Sequence, residues 1–153
     1  MSDVVEISTA ETYALRRAVL RDNDPTRSVE FPEDDLPNTV HLGIRNEQGD
    51  VVATSSWVLK ECPDYPGMPA VQLRGMATAT ELQGTGVGGL LIETGIARFA
   101  ARGFGLMWAR ARDSALGFYD RQQCVVIGDG FIDDTTGLAH HVVVRHLDAG
   151  TAG

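Results

Sequence analysis

The sequence predicts an α/β (α+β) domain in which a mixed, mostly antiparallel and twisted sheet of six to seven strands is flanked by about four helices. Two observations predict this class. Strand-like runs alternate with segments whose apolar residues recur at helical spacing. The chain of 153 residues, with 43% hydrophobic and 22% charged residues, has the size and composition of one globular domain. We therefore expect a single domain over residues 1–153, with helices on both faces of the sheet.

The N-terminal part begins with a predicted strand at residues 4–7 and a predicted helix. Ser8 and Glu11 have the spacing of a capping box, in which each side chain accepts a hydrogen bond from the other residue's backbone N–H. Apolar residues at helical spacing follow, so the helix should run to about Arg21. The segment 22–38 contains three prolines and many acidic residues, which predicts a loop or short irregular helix in a position to cover a site.

The remaining elements are mainly strands. Asn and Gly residues within 46–50 predict the turn of an antiparallel hairpin. A helix over 86–102 should end at Gly103, because glycine readily adopts the left-handed conformation that terminates helices. Asp113 or Ser114 should cap a short helix behind them. The predicted strands are 39–45, 51–59, 70–78, 104–111, 124–127 and 138–147, with a loop over 128–137 and a frayed end over 148–153.

The charge and composition exclude several classes of function. The 13 basic and 21 acidic residues give a net charge of -8, which argues against nucleic acid and against an anionic membrane as partners. No apolar run approaches the ~20 residues that cross a bilayer, and the N-terminal segment lacks the features of a signal peptide. We expect a cytoplasmic protein. Cys62 and Cys124 fit neither a disulfide framework nor a zinc site, so we expect no metal.

Residues 82–89, Leu-Gln-Gly-Thr-Gly-Val-Gly-Gly, hold four glycines between a predicted strand and a predicted helix. Glycine costs up to about 1 kcal/mol relative to alanine inside a helix. So many glycines indicate a backbone that bends tightly or approaches a ligand closely. Because free N–H groups at the positive end of a helix bind phosphate, we predict a phosphate or pyrophosphate site here. A tight turn without a ligand is the alternative.

Two common phosphate motifs fit this loop poorly. A Walker loop needs a lysine after its glycines, and the one lysine of the chain is Lys60. Gly84, Gly86 and Gly89 satisfy the dinucleotide pattern G-x-G-x-x-G. The acidic residue that would bind the ribose is missing from the end of the next strand, where Ala-Arg-Ala-Arg stands at 109–112. A dinucleotide-dependent oxidoreductase is therefore a less favoured alternative.

A third motif fits better. Gln83-x-x-Gly86-x-Gly88 has the form Q/R-x-x-G-x-G/A, and Ala115-x-x-Phe118-Tyr119 stands within a short predicted helix downstream. Both features resemble the GCN5-related N-acetyltransferases (the GNAT family), in which the loop holds the pyrophosphate of acetyl-coenzyme A. The order of strands and helices is also similar. The resemblance implies three parts of this domain. Residues 1–69 form an N-terminal half with the substrate-side loop, residues 70–122 a coenzyme-binding core, and residues 123–147 the C-terminal strands.

The resemblance also implies roles for particular residues. Met76, Ala77 and Thr78 match a bulged strand that pairs with the pantetheine arm, and one of their N–H groups would stabilise the developing oxyanion. Tyr119 would be the general acid that protonates the departing thiolate. The alternative for Phe118 and Tyr119 is that they only pack the helix against the sheet. The implied coenzyme-binding residues are Met76, Ala77, Thr78, Gln83, Gly84, Thr85, Gly86, Val87, Gly88, Gly89, Ser114 and Phe118.

The implied activity is the transfer of an acetyl group from acetyl-coenzyme A to a primary amine of a small molecule or a protein, by direct attack in a ternary complex. A catalytically inactive acyl-coenzyme A binding domain of the same fold is the alternative. The acidic run at 30–35 would either attract a cationic amine or lie in solvent. Proteins of the family that this chain resembles are often homodimers, but no pattern in this sequence identifies an interface. No motif marks the base that deprotonates the amine, and its candidates are His41, Glu33, Asp34, Asp35, His140 and His141.

Overall fold

The computed structural model describes residues 3–148, which contain one seven-stranded sheet. The strands are β1 Val4–Ile7, β2 Val40–Arg45, β3 Val51–Leu59, β4 Ala70–Thr78, β5 Leu106–Arg112, β6 Val125–Ile132 and β7 Ala139–His146. Their order in the sheet is β1-β2-β3-β4-β5-β7-β6, and every neighbouring pair is antiparallel except β4 and β5, which run parallel. This is the mixed, mostly antiparallel sheet that the sequence predicts.

The helices of this region number three, α1 Tyr13–Leu15, α2 Val87–Ala101 and α3 Leu116–Arg121, so the predicted number of about four is slightly too high. The segment 22–38, predicted as a loop or a short irregular helix, forms turns without regular structure. Its three prolines lack a backbone donor and restrict the residue before them, which prevents a helix from propagating.

The N-terminal helix is not the continuous helix that the sequence predicts. A 3-10 turn at Ala10–Thr12 leads into α1, and a π-helical turn at Arg16–Leu20 follows. The predicted capping box is present, because Ser8 N–H donates to Glu11 Oε1 (3.1 Å) and Glu11 N–H donates to Ser8 Oγ (3.3 Å). The π turn begins at the fully buried Arg16, whose tertiary contacts override regular helix propensity.

A bulge in β4 separates this strand from β5. The two strands pair only through the first three residues of β4, which end at Gln72. The register against β3 shifts between Thr54 and Ser56, and Gly75 in the bulged stretch has a φ of +58°, a conformation that suits glycine. Beyond Gln72 the two strands splay apart, and the wedge between them is the position of the site.

The two faces of β3 carry different layers. Trp57 faces α2, where it stacks on Phe99 with ring centroids 5.7 Å apart. Ser56 points to the opposite face and accepts a hydrogen bond from Arg16. A Cβ on Gly95 would collide with the Trp57 ring, so glycine allows α2 to lie directly against the sheet. The predicted apolar face of α2 is buried in this core: Leu91, Ile92, Gly95, Ile96 and Phe99.

Two predictions for the C-terminal part are wrong. β6 extends beyond its predicted end at residue 127, because a bulge around Gly128 (φ +68°) shifts the register against β7 without ending the pairing. Neither predicted cap, Asp113 or Ser114, bonds the start of the following helix. Asp113 instead lies with its carboxylate 2.6 Å from His141 Nδ1 on β7, and this contact replaces the capping bond.

Cys62 and Cys124 are both free thiols in buried positions. Within residues 3–148, no helix combines the length and the hydropathy that a membrane span requires. The frayed end predicted for residues 148–153 lies, apart from Asp148, outside the described residues.

Candidate active site

The glycine loop forms the start of α2. Gly84 and Gly86 have φ values of +83° and +94°, so the two tight bends of the loop need glycine. The first helical hydrogen bond runs from Leu90 N–H to Gly86 C=O (3.1 Å). The N–H groups of the preceding residues 87–89 therefore have no helical acceptor, and they lie at the positive end of a 15-residue helix. This arrangement can bind a phosphate group.

The other two glycines of the loop bring α3 close to α2. A Cβ on Gly88 would lie 3.0 Å from Phe118 Cε1 and 3.3 Å from Met76 Cε, and one on Gly89 would lie 3.0 Å from Gln122 Nε2. Two glycines thus serve the turn and two serve close packing. Because Gly84 and Gly86 have open space where a side chain would stand, a ligand can approach the loop backbone.

A cavity of about 660 Å³ lies in front of this loop, between β4 and α3. Most of the predicted coenzyme-binding residues line it: Met76, Ala77, Thr78, Gln83, Gly84, Gly86, Gly88, Gly89, Ser114 and Phe118. Thr85 and Val87 do not. The Thr85 hydroxyl donates to Leu82 C=O (2.5 Å), and Val87 contributes its backbone N–H at the helix start. The Gln83 side chain donates to Thr78 C=O (3.1 Å), which connects the loop to the end of β4. We name this space the coenzyme cavity.

A second cavity, of about 300 Å³, lies on the other side of the wedge. It is enclosed by the segment 20–32, by β4 around its bulge, by the end of β5 and by the connection between β6 and β7. We name it the acceptor cavity. The two cavities share five lining residues: Leu20, Met76, Arg112, Ala115 and Tyr119. They therefore meet at one junction, and a group bound in one can reach a group bound in the other.

Tyr119 lies at this junction. It is 7% exposed, and its hydroxyl has no hydrogen-bond partner among residues 3–148. Burial, together with the nearby Cys124 thiol, raises the pKa of Tyr119 above its ordinary value. The phenol therefore stays protonated at neutral pH, and its position at the junction, rather than any increased acidity, makes it a candidate proton donor. Packing also explains part of its position, because Tyr119 belongs to the buried core and its ring contacts the Phe118 ring edge-on.

His140 is the one candidate base that lines the acceptor cavity. It is 6% exposed, and its Nδ1 lies 2.9 Å from Leu138 C=O. A carbonyl oxygen only accepts hydrogen bonds, so Nδ1 carries the proton and Nε2 of the neutral ring has a free lone pair. Phe131 stacks on the ring at 5.8 Å and fixes its orientation. Nε2 can therefore accept a proton from a group bound in this cavity.

The other two candidate histidines are held by contacts elsewhere. His41 is buried, with Nε2 3.1 Å from Asp34 C=O and Nδ1 2.7 Å from Ser56 Oγ. Both of its ring nitrogens are thus engaged. His141 lies on the opposite face of β7 from His140 and pairs with Asp113. Neither histidine lines the acceptor cavity.

The acidic candidates hold the segment 22–38 in place. Glu33 pairs with Arg74 and Lys60, and Asp35 accepts a hydrogen bond from Thr9. Asp34 is buried against Arg16. None of the three lines the acceptor cavity, and Asp34 is buried rather than solvated. These acidic residues are therefore engaged within the protein rather than arranged around the cavity.

Several residues of the acceptor cavity were not predicted. They are Arg21, Phe31, Arg74, Arg110, Arg112 and Asp133. One signal was available in the sequence. Arg110 and Arg112 alternate along β5, which places both side chains on one face at the end of the strand that borders the wedge.

The described residues offer no metal centre. Between residues 3 and 148, no three side chains of His, Cys, Asp or Glu come together as ligands. The arrangement instead provides backbone N–H groups for an anion, a proton donor at the cavity junction and a proton acceptor in the acceptor cavity.

Known proteins share both the sequence pattern and the fold. The model of the acetyltransferase (GNAT) family matches residues 7–123, which is more than half of the chain. A Bacillus subtilis (strain 168) protein described as an uncharacterized N-acetyltransferase, YitI, is 28% identical over 144 residues, covering 94% of this chain and 95% of YitI.

Solved structures agree in fold. An acyl-CoA N-acyltransferase from Pseudomonas aeruginosa superimposes with a TM-score of 0.71 at 18% identity, covering 95% of this chain and 99% of that one. Escherichia coli ElaA gives a TM-score of 0.73 at 15% identity, with coverage of 95% and 99%. At these identities the likeness concerns the fold alone. The family match over residues 7–123, carried on this fold, shows that the protein belongs to the acetyltransferase (GNAT) family.

Proposed function

We propose that the protein is an N-acetyltransferase that moves an acetyl group from acetyl-coenzyme A to a primary amine, by direct attack within a ternary complex. The observation that supports it best is the position of Tyr119, a protonated phenol at the junction of the two cavities. A proton donor at this position is needed where a thioester sulfur leaves as the amine attacks.

The residues of the coenzyme cavity fit acetyl-coenzyme A. Gly84 and Gly86 leave space in front of the loop, and the free N–H groups of residues 87–89 suit a pyrophosphate. The wedge between β4 and β5 can accept the extended pantetheine arm, since β4 is not paired with β5 beyond Gln72. Acetyl-coenzyme A supplies a reactive acyl thioester when it is bound.

The backbone of β4 would stabilise the oxyanion that forms on the acyl carbon's oxygen. N–H groups alternate in direction along a strand, so at least one of Met76, Ala77 and Thr78 directs its N–H into the unpaired wedge. Such a fixed donor in a water-poor site stabilises developing charge without reorganisation.

Two side chains of the protein, those of His140 and Tyr119, would transfer protons during the reaction. The acceptor amine arrives protonated, and His140 Nε2 takes the proton that the amine must lose before it attacks. The Tyr119 hydroxyl gives its proton to the departing thiolate, and the second proton that the nitrogen loses after attack restores the phenol. The two groups lie in the acceptor cavity and at the junction, respectively, so the first proton is removed on the amine side of the acyl carbon and the thiolate is protonated on its other side.

Thiol release tests this proposal. The protein is incubated with acetyl-coenzyme A and a panel of primary amines, and free coenzyme A is measured with a thiol reagent. Release that requires both an amine and the protein is expected. Saturable binding of acetyl-coenzyme A without release on any amine would contradict the proposed activity and indicate a domain that only binds the coenzyme.

A further inference from the structure

The acceptor cavity is rich in arginine although the protein carries a net charge of -8. Four arginines line it: Arg21, Arg74, Arg110 and Arg112. Only two acidic residues lie among its lining residues, Glu30 and Asp133. Cationic side chains outnumber carboxylates here, whereas carboxylates dominate the chain as a whole. The cavity therefore has the opposite charge balance from the rest of the protein.

Two of these arginines already have carboxylate partners. Arg74 pairs with Glu33, and Arg110 lies 3.4 Å from Asp133. Arg21 and Arg112 form no ion pair with any carboxylate in the part of the chain that the structure describes. The positive charge available to a ligand is therefore that of Arg21 and Arg112.

Arg21 is held in place without being neutralised. It is 7% exposed, its Nε donates to Ser28 C=O (2.9 Å) and its Nη1 donates to Leu20 C=O (3.1 Å). Its Nη2 has no hydrogen-bond acceptor within residues 3–148. Nη2 is not among the buried polar atoms that lack a partner in this part of the chain, so it is open to the cavity, and an anion bound there can complete the contacts of the guanidinium.

Arg112 lies close to Arg21. Its Nη2 donates to the same carbonyl, that of Leu20, at 2.8 Å. Burial, together with the like charges of Arg27, Arg112 and Arg16, lowers the pKa of Arg21 and outweighs the opposite effect of the Asp133 carboxylate. Neighbouring guanidiniums repel each other, and both present planar N–H donors that match an oxyanion. A negatively charged group bound between the two guanidiniums would reduce their repulsion and accept hydrogen bonds from both.

We propose that the acceptor amine carries a carboxylate, which Arg21 and Arg112 bind together at the junction end of the acceptor cavity. The substrate class is a small aminocarboxylate, such as an amino acid, because a cavity of about 300 Å³ is at the small end of ligand sites. Arg21 lines the acceptor cavity and not the coenzyme cavity, which assigns the anion to the acceptor. The inference rests on the proposed acetyltransferase function.

The acidic run at 30–35 does not favour a polycationic acceptor. Glu33 and Asp34 are already paired with Arg74 and Arg16. Only Glu30 of the run lines the cavity. A polyamine would thus meet two unpaired guanidiniums and few available carboxylates, so it is the less suitable acceptor.

Matched acceptors test the proposal. Rates of thiol release are compared for amino acids and for the same amino acids as carboxamides, for example glycine against glycinamide and β-alanine against β-alaninamide. The amine of a carboxamide loses its proton more readily, so intrinsic reactivity favours the amide. We expect kcat/KM for the acid to exceed that for the amide at least tenfold, the value of one charge-assisted hydrogen bond. An equal or reversed ratio would overturn the proposal while leaving the acetyltransferase function intact.

Variants assign the preference to the arginines. Arg112→Gln and Arg21→Gln should each bring the ratio of acid to amide close to one. Arg98→Gln is the control, because Arg98 lies on α2 outside both cavities and pairs with Glu6 at 2.9 Å; it should keep the wild-type ratio. The ratio does not depend on how much protein is folded, so a loss of stability in Arg21→Gln does not imitate the effect. A ratio unchanged in both cavity variants would contradict the assignment.

Two further experiments determine which substrate carries the anion, and whether a negative result concerns the anion site or the proposed function. If the carboxylate belonged to the acyl group, succinyl-coenzyme A would replace acetyl-coenzyme A as the better donor, with no preference among acceptors, and this would overturn the proposal. If no amine supports release, the proposed function fails. Thermal stabilisation by the amino acid but not by its amide then still supports the anion site, and equal stabilisation overturns it.

Discussion

The guanidinium of Arg16 and the carboxylate of Asp34 form a buried two-point ion pair, with Nη1–Oδ2 at 2.8 Å and Nη2–Oδ1 at 2.9 Å. Arg16 also donates to Val29 C=O and stacks on the Phe31 ring at 3.9 Å, and Asp34 Oδ2 accepts the Phe31 N–H. Because Phe31 lines the acceptor cavity, this pair holds the wall of the cavity against the sheet.

Breaking the pair should destabilise the fold strongly. In Asp34→Ala the buried Arg16 charge loses its partner, which costs about 3–5 kcal/mol in comparable pairs. Asp35→Ala is the matched control, since Asp35 is an exposed neighbour with one side-chain partner, Thr9; it should change the free energy of unfolding by about 0.5 kcal/mol or less. Urea denaturation measures both. Similar values for the two variants would show that the pair does not hold the segment.

The Asp34 carboxylate should make the free energy of unfolding depend on pH in the acidic range. Burial alone would raise the pKa of Asp34, but hydrogen bonds from Arg16 and from the Phe31 N–H outweigh it and hold the pKa below its ordinary value of 3.8. A carboxyl with a lowered folded pKa contributes its full stability above its unfolded pKa, and the contribution is lost as the pH falls through the folded pKa. Unfolding free energy should therefore decline below about pH 4, with a shallower decline in Asp34→Asn. Equal slopes would contradict this role.

A negatively charged side chain in the glycine loop should abolish binding of acetyl-coenzyme A. Gly86→Asp places a carboxylate against the predicted phosphate position, so stabilisation by acetyl-coenzyme A should disappear. Gly103→Asp is a matched control, because Gly103 has a similar φ of +90°, equally open space around it and a position outside both cavities. A ligand at 100 times its Kd stabilises by about 2.7 kcal/mol, so wild type and Gly103→Asp should both show a clear rise in Tm. Retained stabilisation in Gly86→Asp would show that the phosphate groups bind elsewhere.

Removing one oxygen at the junction tests the general acid. Tyr119→Phe keeps the ring in the core and should lower kcat by about 100-fold or more, while the Kd for acetyl-coenzyme A changes little. Tyr65→Phe provides a control for loss of a phenol, because Tyr65 lines neither of these cavities. Unchanged kcat in Tyr119→Phe would assign Tyr119 to packing alone.

His140 should contribute to kcat/KM as the group that accepts the amine's proton. Nδ1 is held by Leu138 C=O, and His140→Gln removes the Nε2 acceptor, so this variant should lower kcat/KM. His141→Gln, on the same strand but outside both cavities, should retain the wild-type kcat/KM. A wild-type kcat/KM in His140→Gln would exclude His140 as the base and leave the role to water.

The arrangement of residues around the glycine loop could be predicted because its parts are contiguous in the chain. The strands β3 and β4 have the bounds that hydrophobic patterning indicates, 51–59 and 70–78. The glycine loop combines a strand end, a turn and a helix start within a few residues, and each has its own local signal. Local sequence therefore contains most of the information that specifies this arrangement.

The acceptor side could not be predicted in the same way. Arg21, Phe31, Arg112 and His140 come from four separate segments, and only the fold brings them to one cavity. The engagement of Asp34 by Arg16 joins residues 18 positions apart through a buried contact, whereas its sequence context indicates a solvated acidic run. Long-range pairing of this kind also interrupts the N-terminal helix, which local propensity predicts as continuous.

The most direct test follows an isotope-labelled acetyl group. The protein is incubated with acetyl-coenzyme A labelled in the acetyl carbons and with the amine panel, and products are analysed by mass spectrometry. We predict a labelled N-acetyl product that depends on the protein and is lost, together with stabilisation by the coenzyme, in Gly86→Asp. Binding of acetyl-coenzyme A with no label in any amine would contradict acetyl transfer as the activity of this site.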